Sequence, residues 1–374
     1  MMGRRKNLND KFGFVDSMKI KDFIDYEQPH EYIVESDRYS SKYSTPVLTA
    51  GQSFILGYTN ESKGIYEKGP CIIFDDFTTS VHYVDFPFKV KSSAMKILTT
   101  KSNADLKYCY YLLLSLSKMP PNHKRQWIST TSEKNHVLPS MDRQISIVKQ
   151  LDLISNTIAN YTNQIENLDN LVKARFIEMF GDGNLPMKTV EELCSCVVDC
   201  PHTTPKYEGN LKNPAIRTSE IKKGFLVWDT MRYVSDKEYV ERTTRAIPKA
   251  GDIVYGREGT FGNAAILPDG YKFCLGQRVM LLRPDYSKCT SEYLLHSVIS
   301  DEVYRQAIEK NNASTVAHVN VKDVKQFKVP LPSLDKQNEF ANFVKQVDKS
   351  REEVKKSLEK TQQLYDSLMQ EYFG

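Results

Sequence analysis

The sequence predicts an α+β protein: two β-rich globular halves separated by two long antiparallel helices that form a coiled coil. Three observations lead there. A segment of about forty residues occurs twice without a gap. The apolar residues in that segment follow a heptad. The stretch before each copy carries short apolar runs bounded by Gly, Pro and Asp, the pattern of buried strands.

The repeat comes first. Pro139-Ser140-Met141-Asp142-Arg143-Gln144 matches Pro332-Ser333-Leu334-Asp335-Lys336-Gln337 in kind, at an offset of 193 residues. The same offset sets Phe176-Ile177-Glu178-Met179-Phe180-Gly181 against Met369-Gln370-Glu371-Tyr372-Phe373-Gly374. One element is therefore used twice. Each copy reads as a helix. Ser140 and Ser333 suit an N-cap, Asp142 and Asp335 suit the first turn, and Gly181 and Gly374 suit a C-terminal cap. The first copy places Leu151, Ile154, Ile158, Tyr161, Ile165, Leu168 and Val172 at alternating spacings of three and four, a left-handed coiled-coil seam. The matching seam in the second copy is Val344, Val347, Arg351, Val354, Leu358, Thr361 and Tyr365, with Arg351 and Thr361 as polar interruptions. These seam residues are the expected helix-pairing positions. Forty residues make a rod of roughly 60 Å, a spacer between two domains. A four-helix bundle or an oligomerisation stalk is the alternative reading of the helices alone.

The halves lie at 1–139 and 182–331, with the helices at 140–181 and 332–374. In the first, Cys71-Ile72-Ile73-Phe74 reads as a buried strand; in the second, Gly251-Asp252-Ile253-Val254-Tyr255-Gly256 does. Each half continues into a helix-like stretch, Leu106 to Leu116 and Tyr293 to Ile308, and returns through an extended segment to the Pro-Ser helix start. Between these landmarks the halves differ heavily. Similar supports with different surfaces suggest two different targets at a fixed separation.

Composition narrows the class. Hydrophobic residues make up 40% and aromatics 11%, enough for a core in each half. Net charge is only +4, from 51 basic and 47 acidic residues, so any nucleic-acid contact must come from local clusters. Seven cysteines point to free thiols in a reducing compartment. The polar start Met1-Met2-Gly3-Arg4-Arg5-Lys6 leads into no apolar signal segment, and the longest apolar run, Tyr110 to Leu114, falls far below the ~20 residues of a bilayer span. A soluble cytoplasmic protein is expected.

Candidate contact residues follow from loop chemistry. Gly256-Arg257-Glu258-Gly259-Thr260-Phe261-Gly262-Asn263 follows a strand; its glycines let backbone approach a phosphate, and Arg257, Thr260 and Asn263 add donors. A plain glycine turn is the alternative. In the first half, Thr78, Thr79 and Ser80 with Lys89, Lys91, Ser92 and Lys96 mix hydroxyls and cations that suit phosphates and base edges. Lys124 and Arg125 beside Trp127, His202, Thr203 and Lys206 in a turn, Arg217, and the pair Gln277 and Arg278 complete the DNA-contact candidates. Asp75-Asp76 invites a nuclease reading, but no acid-x-Lys element stands close by; orienting a loop or accepting from a cytosine amino group fits better. Cys194, Cys196, Cys200 and His202 crowd within nine residues, unlike the paired spacing of a zinc finger, so small core residues are the simpler reading. No Gly-x-Gly-x-x-Gly opens a βαβ unit, no Walker lysine exists, and no Ser/His/Asp or Cys/His set has supporting local sequence. No catalytic residue and no metal ligand is assigned.

The architecture resembles the specificity subunits of type I restriction–modification systems. Val329-Pro330-Leu331-Pro332-Ser333-Leu334-Asp335-Lys336-Gln337 is similar to the segment leading into that family's long helix. Gly276-Gln277-Arg278-Val279-Met280-Leu281-Leu282-Arg283-Pro284 looks like a strand of its target recognition domains. Val47-Leu48-Thr49-Ala50-Gly51 and Phe74-Asp75-Asp76-Phe77-Thr78-Thr79 resemble a second type of such domain. The resemblance implies one target recognition domain per half, each contacting one half of a split, asymmetric site in double-stranded DNA. It implies helices that set the unread spacing and dock two methyltransferase subunits, with motor-nuclease subunits joining that core. S-adenosylmethionine, ATP and Mg2+ would belong to those partners. Two other classes stay open: a coiled-coil scaffold without DNA specificity, and a stand-alone DNA-modifying enzyme.

Overall fold

The computed structural model describes residues 17–50, 53–101, 103–118, 124–181, 183–209, 212–259, 262–310 and 318–374. They form two compact units, 1–162 with 357–374, and 163–356.

In the first unit the order is β1 (Ser17–Lys19), α1 (Ile20–Phe23), β2 (Ile24–Glu27), β3 (Thr45–Leu48), β4 (Ile55–Thr59), β5 (Cys71–Asp75), β6 (Val81–Val84), β7 (Lys89–Val90), β8 (Met95–Thr100), α2 (Leu106–Leu116), β9 (Asn135–Val137) and the start of α3 (Met141–Phe180). A four-stranded sheet runs β2-β8-β5-β6, a three-stranded sheet runs β4-β3-β7, and β1 pairs with β9. The central strand β5 alternates: Ile72 and Phe74 join the core formed with α1, α2 and α3, while Cys71 and Ile73 join the core facing Tyr66, Phe88 and Val90. Both faces are covered, so the strand reads as a continuous apolar run and not as an alternating one.

The second unit repeats the plan. Its elements are β10 (Met187–Thr189), α4 (Val190–Leu193), β11 (Cys194–Asp199), β12 (Asn213–Ile216), β13 (Arg232–Val234), α5 (Asp236–Arg242), β14 (Ile253–Gly256), β15 (Ala264–Ile266), β16 (Cys274–Leu275), β17 (Val279–Pro284), α6 (Ser291–Val298), α7 (Asp301–Lys310), α8 (Val321–Gln326), β18 (Lys328–Pro330) and α9 (Leu334–Phe373). The sheets β11-β17-β14-β15 and β13-β12-β16 and the pair β10-β18 reproduce those of the first unit, strand for strand. Ile253 and Tyr255 face the helices; Val254 faces the small sheet.

The two long helices stand where the repeat predicts, each of 40 residues. They run antiparallel within each unit. In the second, Asp169 meets Arg351 at 2.7 Å and, further along α3, Arg175 meets Glu339 at 2.8 Å. In the first, the Tyr372 hydroxyl donates to Gln150 at 2.6 Å, and Tyr365, Leu368 and Phe373 of α9 pack on the core that holds Leu151. Every seam position is covered: Leu151, Val172, Val344 and Val347 are buried; Ile154, Ile158, Tyr161, Ile165, Leu168, Arg351, Val354, Leu358, Thr361 and Tyr365 are half-buried.

Three expectations need correction. The stretch Tyr293 to Ile308 is two helices, because Ser300 starts a new one by accepting from the Val303 amide at 3.3 Å, with Asp301 and Glu302 in its first turn. Gly276 to Pro284 is no single strand: Arg278 adopts φ 65° and breaks it ahead of β17. Gly181 is no left-handed cap. It continues the helical bonding to the Ile177 carbonyl at 2.8 Å, and the positive φ falls at Gly183.

A feature that the repeat left unexplained is the terminal Gln of each Asp-Arg/Lys-Gln motif. Gln144 is fully buried: its Oε1 accepts from the Asp105 amide at 2.8 Å, and its Nε2 donates to the Pro139 and Asn103 carbonyls at 2.8 and 3.2 Å. Gln337 does the same with the Thr290 amide at 2.9 Å and the Lys288 and Pro332 carbonyls at 3.0 Å. Asp105 and Thr290 are the N-caps of α2 and α6. Each glutamine therefore ties the cap of a domain helix to the foot of a long helix.

Candidate nucleic-acid interface

In the second unit β11 and β14 both run antiparallel to β17. The end of β11, the end of β14 and the start of β17 therefore meet at one edge of the sheet. The loops leaving that edge carry His202, Thr203 and Lys206, then Arg257, Glu258 and Asn263, then Gln277 and Arg278. Topology brings these sequence candidates together, although they span over seventy positions in the chain. Backbone bonds lace the loops: the Arg257 amide donates to the Arg278 carbonyl at 3.0 Å, the Cys200 amide to the Val279 carbonyl at 3.1 Å, and the Val319 amide to the Arg257 carbonyl at 3.0 Å.

Two carboxylates organise the charges here. Asp199 accepts from the Arg257 guanidinium at 2.8 Å and lies 3.4 Å from the His202 ring. Glu258 pairs with Arg278 and lies 3.4 Å from His318. Arg257 is buried and its guanidinium also donates to the Val319 carbonyl at 3.4 Å, so the expectation of a phosphate contact gives way to a loop tie. Arg242, also buried, braces the neighbouring turn by donating to the Thr203 and Leu275 carbonyls at 3.0 Å. Asn263 is half-buried and donates from its side chain to the Ile221 carbonyl at 3.1 Å. Arg217 is drawn onto the buried Glu220 carboxylate, whose hydrogen bonds hold the guanidinium above its ordinary pKa. The exposed members of the group are His202, Thr203, Lys206 and Arg278, with Gln277 half-buried. Thr260 lies outside the described residues.

The first unit has the matching edge, with the turn between β5 and β6 beside the start of β8. Here several candidates prove structural. Asp75 accepts from the Thr78 amide and hydroxyl at 2.7 and 2.8 Å, an Asx-type turn. Asp76 is buried and accepts from the Trp127 amide at 2.8 Å. Lys96 is also fully buried, 3.4 Å from Asp76 and donating to the Gln28 side-chain oxygen Oε1 at 2.7 Å; burial keeps its ammonium below the ordinary lysine range. Lys89 is buried against Glu61 at 2.9 Å. Thr79, buried with φ 58°, donates to the Lys118 carbonyl at 3.0 Å. A side chain held this way cannot reach DNA without unfolding its loop, so Lys89, Lys96 and Thr79 are corrected to scaffold positions. Thr78 and Ser80 stay half-buried in the turn, Lys91 pairs with Asp37, and Ser92, Lys124 and Arg125 are exposed.

Comparison with known proteins places these rims in a family. The chain is 31% identical over 360 residues to the specificity subunit of the Escherichia coli type I restriction enzymes EcoR124I/EcoR124II, covering 89% of this chain and 87% of that one. This chain is a type I restriction–modification specificity subunit. The family model for the type I restriction modification DNA specificity domain matches residues 188–363. The fold agrees with the S subunit of a type I system from M. genitalium, at a TM-score of 0.59 and 16% identity over 100% of this chain and 99% of that one. It also agrees with a chain solved in a study of complex assembly and conformational transition of the type I R-M system, at a TM-score of 0.51 and 14% identity over 94% and 97%.

For a specificity subunit, the loops at the two sheet edges are the DNA-reading candidates. Sequence reasoning missed Asp199, Glu258 and His318 there, and saw Arg242 only as one of the basic residues Arg242, Arg245 and Lys249. Asp199 had a signal, since it ends a strand beside a residue already singled out. Glu258 had none, because its partners are set by the fold. Cys200 of the cysteine cluster is buried with its sulfur accepting from the Arg278 amide at 3.1 Å; no three His, Cys, Asp or Glu among the described residues group as metal ligands would. No helix among the described residues is long and apolar enough to cross a membrane.

Proposed function

We propose that this specificity subunit reads a split, asymmetric site in double-stranded DNA, one half-site per unit. Residues 1–139 and 182–331 act as the two target recognition domains. Residues 140–181 and 332–374 act as the spacer that sets the number of unread base pairs. The observation that carries this reading is the duplicated sheet plan with unlike rims: the same strand order twice, with Thr78, Ser92 and Arg125 on one and His202, Lys206 and Arg278 on the other. A common scaffold with different donors suits two different base sequences.

The chain catalyses nothing itself. Two methyltransferase subunits dock on the long helices, and motor-nuclease subunits complete the complex; S-adenosylmethionine, ATP and Mg2+ bind to those partners. The complex works in the cytoplasm, where the chromosome is.

Genome-wide adenine-methylation mapping tests this, in cells expressing the neighbouring methyltransferase with and without the chain. A new motif of two short halves separated by fixed unread bases is expected only when the chain is present. An assembled complex that produces no such motif would overturn the reading and favour a scaffold.

A further inference from the structure

The DNA-reading function has a residue that geometry singles out. Arg278 is held in the left-handed backbone region, at φ 65°, where a non-glycine residue is uncommon and persists only if its surroundings enforce it. They do so from both sides: its amide donates to the Cys200 sulfur at 3.1 Å, and its carbonyl accepts from the Arg257 amide at 3.0 Å. This backbone lifts a side chain that is 61% exposed out of the rim where three loops meet. The guanidinium is nevertheless anchored. Its Nε lies against Glu258, a carboxylate only 20% exposed, which also faces His318 at 3.4 Å. Among the described residues no acceptor takes a hydrogen bond from either terminal nitrogen of Arg278.

We propose, resting on the DNA-reading function above, that Arg278 reads a guanine in the half-site of the second unit, and that Glu258 is its positioning residue. With Glu258 paired on the Nε side, the two terminal nitrogens stay free of acceptors among the described residues and form an end-on fork, which matches O6 and N7 of guanine in the major groove. A phosphate contact fits the arrangement less well. A neighbouring carboxylate cancels much of the charge that attracts a phosphate, yet leaves the direction of the two donors intact. Direction is what base reading needs, and charge is what phosphate binding needs.

The test uses the complex of full-length chain with its methyltransferase subunits. Methylation motifs are mapped for the wild type, Arg278→Lys, Arg278→Ala and Glu258→Gln, and affinities are measured on duplexes varied one base pair at a time. A guanine is expected at one position of one half-site. Arg278→Lys, which retains length and charge, and Arg278→Ala should both lose roughly 10- to 100-fold of the preference at that position, leaving every other position unchanged. Glu258→Gln should relax the same position by a smaller factor. An unchanged motif in both Arg278 variants would overturn the proposal. So would a uniform loss across all sequences with a shallower salt dependence, the mark of a phosphate contact. A wild-type complex without a split motif would instead remove the DNA-reading function itself.

Discussion

Gln144 and Gln337 each make three hydrogen bonds from a fully buried amide. An apolar side chain there would leave one N–H and two carbonyls without partners. Gln337→Leu is expected to destabilise the second unit by at least about 3 kcal/mol, since each unpaired buried group costs about 1–3 kcal/mol. The Thr290 amide should lose its hydrogen-exchange protection in the same variant. Retained protection would mean that the clamp is dispensable. The sequence displayed these glutamines in its clearest motif, yet a motif shows recurrence and not partners. The same blindness affected Lys89, Lys96 and Arg257. Their types suit DNA, but burial against Glu61, Asp76 and Asp199 decides their work, and those partners lie between 20 and 58 positions away.

Among the elements, the long helices were legible to within one or two residues at each end, because a 3.5-residue apolar period is written locally. The strands β5 and β14 were legible for a similar reason: both faces are covered, so they appear as unbroken apolar runs. Breaks inside an element were harder to see, since the start of α7 at Ser300 and the kink at Arg278 depend on one or two hydrogen bonds each. Packing also creates a pH response. Burial holds His136 and His296 neutral down to about 4, and the Arg351 charge adds to this at His296. The His136 ring lies 2.7 Å from the Tyr108 hydroxyl, and His296 meets the Phe340 ring edge-on at 5.2 Å. An unfolded histidine takes its proton near pH 6.5. Between pH 6.5 and 4 the unfolded state therefore binds more protons. Stability is full above that window and falls as pH drops through it. Each histidine should account for about 2 kcal/mol of the loss. Thermal melts at pH 7 and 4.5 check this: His296→Phe should flatten the response of the second unit. Equal acid sensitivity in variant and wild type would sink the assignment.

For the whole chain, the governing feature is the duplication. α3 contributes Met141 to Thr162 to the first unit and Asn163 to Phe180 to the second, and α9 is divided likewise. If the helices set the spacing of the half-sites, four residues inserted at Asn163 lengthen α3 by about 6 Å. The mapped motif should then keep both halves and change the number of unread base pairs between them. An unchanged spacer would remove the ruler role while leaving half-site reading intact.

Repeat, heptad and strand runs are local patterns, governed by backbone periodicity and by the removal of apolar surface from water, so they stand in the chain and carry fold class and family with them. The membership of the rims is different. Asp199 meets Arg257, and Glu258 meets Arg278, because β11, β14 and β17 end side by side, and whether each charge is buried, paired or exposed depends on those neighbours. Electrostatic roles are set by distance and desolvation, which the order of residues along a chain does not contain.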